Sequence, residues 1–319
     1  SASASATMTS LQTAISRSGT AARGIGFAVL SYACFSTGDA TIKLASGRFS
    51  VFQIAFTVAL FALIPVMFLT RGQGGWRALV PTRWHLVALR GVLTAVCSLL
   101  AWRAFSMLPL AEAYAILFAT PMLVTGLSAL LLREEVGWRR WAAASVGFVG
   151  VLIMIRPDFA TLGLGHLLAA LAALTGSLGM ITLKRIGPSE SSASILFAVF
   201  VGIMLASGPM VPSHFVVPQW HEIALLALAG LLMGCGQAGL VLATRESPAV
   251  VVAPFQYSQM IWGVMFGALL FGDRPAPVLF VGMALVVGSG LFTIWREMVR
   301  QRPVTLGGGR GEVPARIAR

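Results

Sequence analysis

Charge is what this sequence has least of. Only 11% of its 319 residues are Asp, Glu, Lys or Arg, where a soluble domain carries about 25%. That deficit excludes a water-soluble fold and leaves almost nothing over for a soluble domain. Cysteine is scarce as well. Cys34, Cys97 and Cys235 all lie inside apolar runs and form no CxxC, so neither a disulfide framework nor a zinc site is supported. The 4 histidines show no metal-ligand spacing, and no Walker-type or GxGxxG segment occurs. No metal, no cofactor and no nucleotide-driven pump is therefore expected. No nucleophile–base pair stands within the apolar runs either, which argues against an intramembrane enzyme.

Apolar residues fill the space. They make up 57% of the chain, and the mean hydropathy is +0.85. The net charge of +12 would suit a nucleic-acid partner, but the basic residues sit at the ends of apolar runs and form no separate patch. That is how topology signals look, so the partner is the lipid bilayer and nucleic acid is excluded.

One stretch organises the rest. Pro109 opens it, Ala113 to Leu132 carries no charge, and Arg133-Glu134-Glu135 closes it. At about 1.5 Å per residue such a run crosses the roughly 30 Å hydrocarbon core. The same pattern recurs: Pro248 opens, Ser247 to Gly272 is uncharged, and Asp273-Arg274 closes. Pro109 to Pro248 and Glu134 to Asp273 are both 139 positions apart. At that offset Gly91 falls on Gly230, Ala104 on Ala243, and Ala129-Leu130-Leu131 on Ala268-Leu269-Leu270. Thr41-Ile42-Lys43 matches Thr182-Leu183-Lys184 at offset 141.

The chain is expected to be all-α, with ten transmembrane helices over 24–44, 49–69, 85–107, 110–132, 140–156, 161–183, 191–211, 221–244, 248–271 and 276–295. Residues 1–23 read as a flexible start, partly an expression scar. A first five-helix repeat then covers 24–156, a second covers 157–295, and 296–319 reads as a disordered basic tail. Short loops make successive helices antiparallel hairpins. Ten crossings place both termini on one side. Of the 23 lysines and arginines only Lys43, Arg48, Arg103, Arg156 and Arg274 fall on the other, so both termini are expected in the cytoplasm. Five is odd, so the two repeats insert in opposite orientations. That plan recurs in secondary transporters, with a substrate site near the pseudo-twofold axis.

These features resemble the drug/metabolite transporter superfamily, EamA type, and within it the YddG-type amino-acid exporters. The residues that carry the likeness are the two proline-led, acid-terminated helices, Pro109 to Glu134 and Pro248 to Asp273, within a five-plus-five plan. The resemblance implies a basket of ten helices around a central cavity in a bacterial inner membrane. It also implies alternating access, with amino acids or similar metabolites as substrates.

Polar side chains inside apolar helices are the candidate site, because a buried polar group needs a partner or a hydrated cavity. Tyr32, Ser36, Asp39 and Lys43 share one face of the first helix. Asp39 and Lys43, four apart, are expected to pair, either as an outer gate or zwitterion handle or as a structural ion pair. Thr94, Cys97, Ser98 and Trp102 make a second stripe, and Gln237 stands at the place of Ser98 in the second repeat. This stripe lines a cavity or packs helices. Gln256, Tyr257 and Gln259, followed by Trp262, make the helix over 248–271 the most polar of the buried ones. Tyr114 adds an aromatic wall. Arg103 and Glu112 bracket the outer turn as boundary charges or gate latches. Small-residue spacings at Gly230/Gly234 and Gly263/Gly267 mark close helix contacts or an oligomer face. Oligomeric state and energy coupling are not legible here.

Overall fold

A computed structural model describes residues 2–133, 138–155, 162–187, 190–246 and 252–300. Among them every regular element is helical. In hydrocarbon, a helix satisfies its own backbone groups within one segment. The helices are α1 (Ala2–Ala45), α2 (Val51–Thr70), α3 (Trp84–Phe105), α4 (Leu110–Leu117), α5 (Thr120–Leu131), α6 (Trp138–Ile155), α7 (Leu164–Ile186), α8 (Ser192–Ser207), α9 (Trp220–Glu246), α10 (Ser258–Phe271) and α11 (Pro277–Arg300). A 3₁₀ turn, Ala253–Tyr257, leads into α10.

There are 7 spans long and apolar enough to cross a bilayer among the described residues. They are Arg23–Ala45 of α1, α2, α3, α4 with α5, α7, α8 with its 3₁₀ extension, and α9. Trp141–Met154 and Pro277–Phe292 are shorter apolar helices. The protein is a multi-pass membrane protein. Pro248, Glu134 and the tail 301–319 lie outside the described residues. The first helix starts at Ala2, where the sequence suggested a flexible segment over 1–23. No proline interrupts that stretch, and alanine is the strongest helix former.

One expected continuous helix is interrupted. The run over 110–132 divides into α4 and α5 with a turn at Phe118-Ala119. Pro121 is the cause. It has no N–H to give to Leu117, four residues back, and its ring collides with that carbonyl.

Each helix packs on its neighbours in a closed order: α1 on α9, α9 on α2, α2 on α8, α8 on α3, α3 on α7, α7 on α4 and α5, α4 on α10, and α10 back on α1. The α6–α11 pair packs outside this ring, against α4, α5 and the 3₁₀ turn. Glycines let the backbones approach. A Cβ on Gly91 would lie 2.7 Å from the Ala198 carbonyl oxygen of α8, and one on Gly230 2.6 Å from the Val58 oxygen of α2. Gly150 of α6 and Gly282 of α11 meet in the same way. Hydrocarbon outside gives no hydrophobic drive, so such close packing holds membrane helices together. The small-residue spacing at Gly230 and Gly234 is thus consumed within the chain, against Val58, Phe61 and Ala62.

The ends are pinned by polar contacts. Ser50 caps α2 by accepting from the Gln53 amide at 3.2 Å. The Gln53 side chain donates to the Val216 carbonyl at 2.7 Å and accepts from the Val216 amide at 3.0 Å. At the opposite end the Glu190 carboxylate accepts from the Thr82 and Arg83 amides at the start of α3. A carboxylate there also complements the positive end of the helix dipole.

Candidate functional site

The interruption between α4 and α5 brings aromatic side chains inward. Phe118, at the break, stacks on Tyr257, the last residue of the 3₁₀ turn, with centroids 5.4 Å apart and planes at 26°. Each aromatic therefore sits where a helix changes form, at the junction of two unrelated segments of chain. Behind Tyr257 lies Gly290 of α11, where no side chain would fit beside the phenol.

One turn earlier on α4, Tyr114 meets α1. Its hydroxyl donates to Asp39 Oδ2 at 2.7 Å, in a buried contact. Asp39 is 8% exposed and Tyr114 3%. Three neighbours hold the phenol. Phe105 of α3 meets its ring edge-on at 5.6 Å. Gly263 of α10 leaves room for it, since a Cβ there would stand 2.5 Å from the ring. Ser36 of α1 is fully buried close by, its hydroxyl without a hydrogen-bond partner. The Trp102 indole of α3 lies beside the same carboxylate. Four residues that the sequence placed on three separate helices, Ser36, Asp39, Trp102 and Tyr114, thus form one cluster.

The expected Asp39–Lys43 pair is not formed. Lys43 Nζ donates to the Leu108 carbonyl at 2.6 Å and lies 4.7 Å from the centre of the Phe271 ring. The i,i+4 rule describes neighbours on an isolated helix. In this bundle the turn before α4 offers a free carbonyl within reach of a flexible stem, and Asp39 is taken by Tyr114.

The three candidate glutamines are half-buried: Gln237 on α9, Gln256 in the 3₁₀ turn and Gln259 on α10. No hydrogen bond among the described residues uses their side chains. Ser98 is likewise half-buried without one, and Tyr32, 7% exposed, meets Phe35 edge-on at 6.0 Å with no hydrogen bond from its hydroxyl among the described residues. An unpaired amide in hydrocarbon costs several kcal/mol, roughly 2–7 by reference state, so these groups need water or a solute. Trp262 stacks on Phe266 at 6.0 Å, within α10.

At the start of α4 Glu112 pairs with His166 of α7 at 2.8 Å, a partner that sequence reading missed. The amide of Gly163 donates to His166 Nδ1, so the proton sits on Nε2 and is donated to Glu112. Among the described residues Arg103 reaches Ser106, at 3.5 Å. Arg48 bridges to Glu222 of α9 at 2.7 Å. A recess of about 270 Å³ opens between the starts of α4 and α11, lined by Glu112, Asp273 and Arg274 among apolar residues. Among the described residues no cluster of three or more His, Cys, Asp or Glu side chains is placed to hold a metal.

Comparison with known proteins adds the following. Residues 22–156 match the EamA-like transporter family. The chain is 33% identical over 284 residues to a riboflavin transporter of Rhizobium johnstonii, covering 88% of this chain and 90% of that one. It is 26% identical over 278 residues to an S-adenosylmethionine uptake transporter of Rickettsia felis, covering 86% and 93%. A protein of known crystal structure shares the fold at TM-score 0.63 and 16% identity, over 87% of this chain and 98% of its own.

Proposed function

The chain belongs to the EamA-like transporter family, and from that membership we propose that it is a secondary carrier moving a small organic metabolite across the bacterial inner membrane by alternating access. The family is one of transporters, and no catalytic role is assigned.

The observation that carries the reading is the polar and aromatic surface where α4 and α10 meet their breaks. Phe118 and Tyr257, both buried, stack there, and beside them Gln256 and Gln259 hold half-buried amides with no protein partner among the described residues. Flat aromatic walls with a few orienting amides suit a planar nitrogen heterocycle. Relatives named for riboflavin and S-adenosylmethionine agree with such a solute. We therefore put uptake of a flavin-like or adenosyl-like metabolite first. Amino-acid export is the second reading. Asp39 favours it, because an uncompensated carboxylate beside aromatic rings suits an ammonium group.

The mechanism rests on two inverted five-helix halves. Exchanging them maps α1 onto α7, α2 onto α8, α3 onto α9, α4 and α5 onto the 3₁₀ turn and α10, and α6 onto α11. The packing order supports this plan, since α1 on α9 maps to α7 on α3 and α2 on α9 maps to α8 on α3. The glycine crossings follow suit, Gly91 against α8 and Gly230 against α2. Phe118 and Tyr257 are themselves 139 positions apart. They stand at equivalent places, so the stack lies on the exchange axis. Rocking one half about this axis exposes the Gln256 surface to either side in turn. Both termini are taken as cytoplasmic from the distribution of basic residues.

Uptake by purified protein in liposomes tests this reading. Labelled riboflavin, S-adenosylmethionine and a panel of amino acids are offered separately. Saturable riboflavin or S-adenosylmethionine flux supports the first reading, and flux of amino acids alone supports the second. No protein-dependent flux of any of them defeats both.

A further inference from the structure

Asp39 is a carboxyl group inside a membrane span with no counter-charge among the described residues. We infer that Asp39, with Ser36 and Tyr114, is a proton-binding site that couples substrate movement to the pH gradient; this rests on the carrier reading above.

Start with what surrounds it. From α4, Tyr114 donates its hydroxyl to Oδ2 at 2.7 Å. From α3, the Trp102 indole N–H faces the carboxylate as a second donor, and it carries no charge. From α9, Met233 and Ala229 pack on Gly38 and bring only apolar atoms and a carbonyl. From α10 comes Gly263, against the other face of Tyr114, and the neighbouring 3₁₀ turn brings Tyr257, which is engaged with Phe118 and Gly290. On α1 itself Lys43 is one turn on, with Nζ committed to the Leu108 carbonyl. The other nearby acids have their own surroundings: Glu112 is held by His166, and Asp273 lies beyond the end of α10, nearer to Lys43. No cation is left to pair with Asp39 among the described residues.

A carboxylate with hydrogen-bond donors but no counter-charge is still costly inside a membrane span. It is affordable when a proton or a cation accompanies it for part of the cycle. Ser36 supplies the second observation. Ser31, Thr37 and Thr41 on the same helix each donate to the carbonyl four residues back, at 2.7, 2.8 and 2.7 Å. Ser36 does not, and its buried oxygen has no partner. Its hydroxyl lies one turn before Asp39 on the same face. It stands beside the Tyr114 phenol with acceptor capacity to spare, one turn from a carboxyl that would gain an O–H to donate on protonation. Tyr114 serves the other oxygen in either state.

The proton balance is simple. One proton enters from the water on one side and binds an Asp39 oxygen, which cancels the buried charge. With the site turned to the other side, the proton leaves to water and the carboxylate is rehydrated. No other co-reactant is needed.

The test uses the full-length protein and two readouts. In liposomes, riboflavin uptake is measured with and without a pH difference of about one unit, which corresponds to about tenfold accumulation for one proton per solute. The wild-type ratio should approach that value. In D39N the ratio of uptake with and without the gradient should fall to one, and D39E should restore part of the response. In nanodiscs, infrared difference spectra across a pH titration should show a protonated-carboxyl band that D39N removes and S36A shifts. This second arm needs no substrate, so it stands even if riboflavin is not carried. A wild-type ratio of one alongside robust flux overturns the proposal and leaves the carrier reading intact. So does a gradient response that survives in D39N, or a titration with no band that D39N removes.

Discussion

Gly263→Ala tests the geometry of the Tyr114–Asp39 contact through a residue that touches the tyrosine ring and not the carboxyl. A Cβ at this position would lie 2.5 Å from the Tyr114 ring. Ordinary carbon contacts need about 3.5 Å or more, so the ring must retreat by roughly 1 Å. The phenol is already bounded by Phe105 on another side, and it swings away from Asp39. A 2.7 Å hydrogen bond moved that far is no longer one. Overpacking alone costs about 1–3 kcal/mol. Losing the hydrogen bond and stranding a buried carboxyl adds about 1–3 kcal/mol. Tyr114→Phe should show the second cost without the first. Because both changes break the same bond, their effects must overlap. SDS-driven unfolding in mixed micelles, followed by tryptophan emission, gives all four corners of the cycle. The double variant should be less destabilised than the sum of the singles by about 1 kcal/mol. Additivity within roughly 0.3–0.5 kcal/mol would mean that Gly263 does not act through the Tyr114–Asp39 bond.

Three further outcomes follow from the same contacts. Pro121→Ala restores the missing N–H to the α4–α5 turn, so thermal stability should hold or rise while riboflavin uptake in liposomes falls several-fold. Gly91→Leu and Gly230→Leu each force a side chain onto a facing carbonyl 2.7 or 2.6 Å from the Cβ, so each should lose about 1–3 kcal/mol in SDS unfolding; indifference in either would deny that crossing. Replacing Gln256 and Gln259 together by leucine should leave stability unchanged, since neither amide has a protein partner among the described residues, and should lower uptake at least about tenfold; normal uptake would remove both from the site.

Much of the architecture was legible in the sequence. Uncharged windows located five of the seven long spans, because backbone satisfaction in lipid forces each to be helical; α1 with Asp39 and Lys43, and α3 with Arg90 and Arg103, cross despite their charges. The offset of 139 positions also named Phe118 and Tyr257 as equivalents, although nothing in it said that their rings would touch. Other features depended on tertiary reach. Glu112 and His166 are 54 residues apart, and no local periodicity links them. Asp39 and Lys43 looked like a pair because spacing on one helix was the only geometry in view. The bundle gave each a nearer partner, Tyr114 and the Leu108 carbonyl. Pro121 was present throughout, and the uncharged run around it concealed the break that it imposes. The close glycine spacing at Gly263 and Gly267 served Tyr114 and Asp273 within the chain.

The most direct measurement is two-sided labelling at Gln256→Cys in a chain whose Cys34, Cys97 and Cys235 are replaced. A membrane-impermeant thiol reagent is applied from one face of sealed vesicles and then from the other, with and without riboflavin. A carrier with a hydrated centre between inverted halves should react from both faces and be protected by the solute. Labelling from neither face would contradict a central hollow, and labelling from one face under every condition would contradict alternating access.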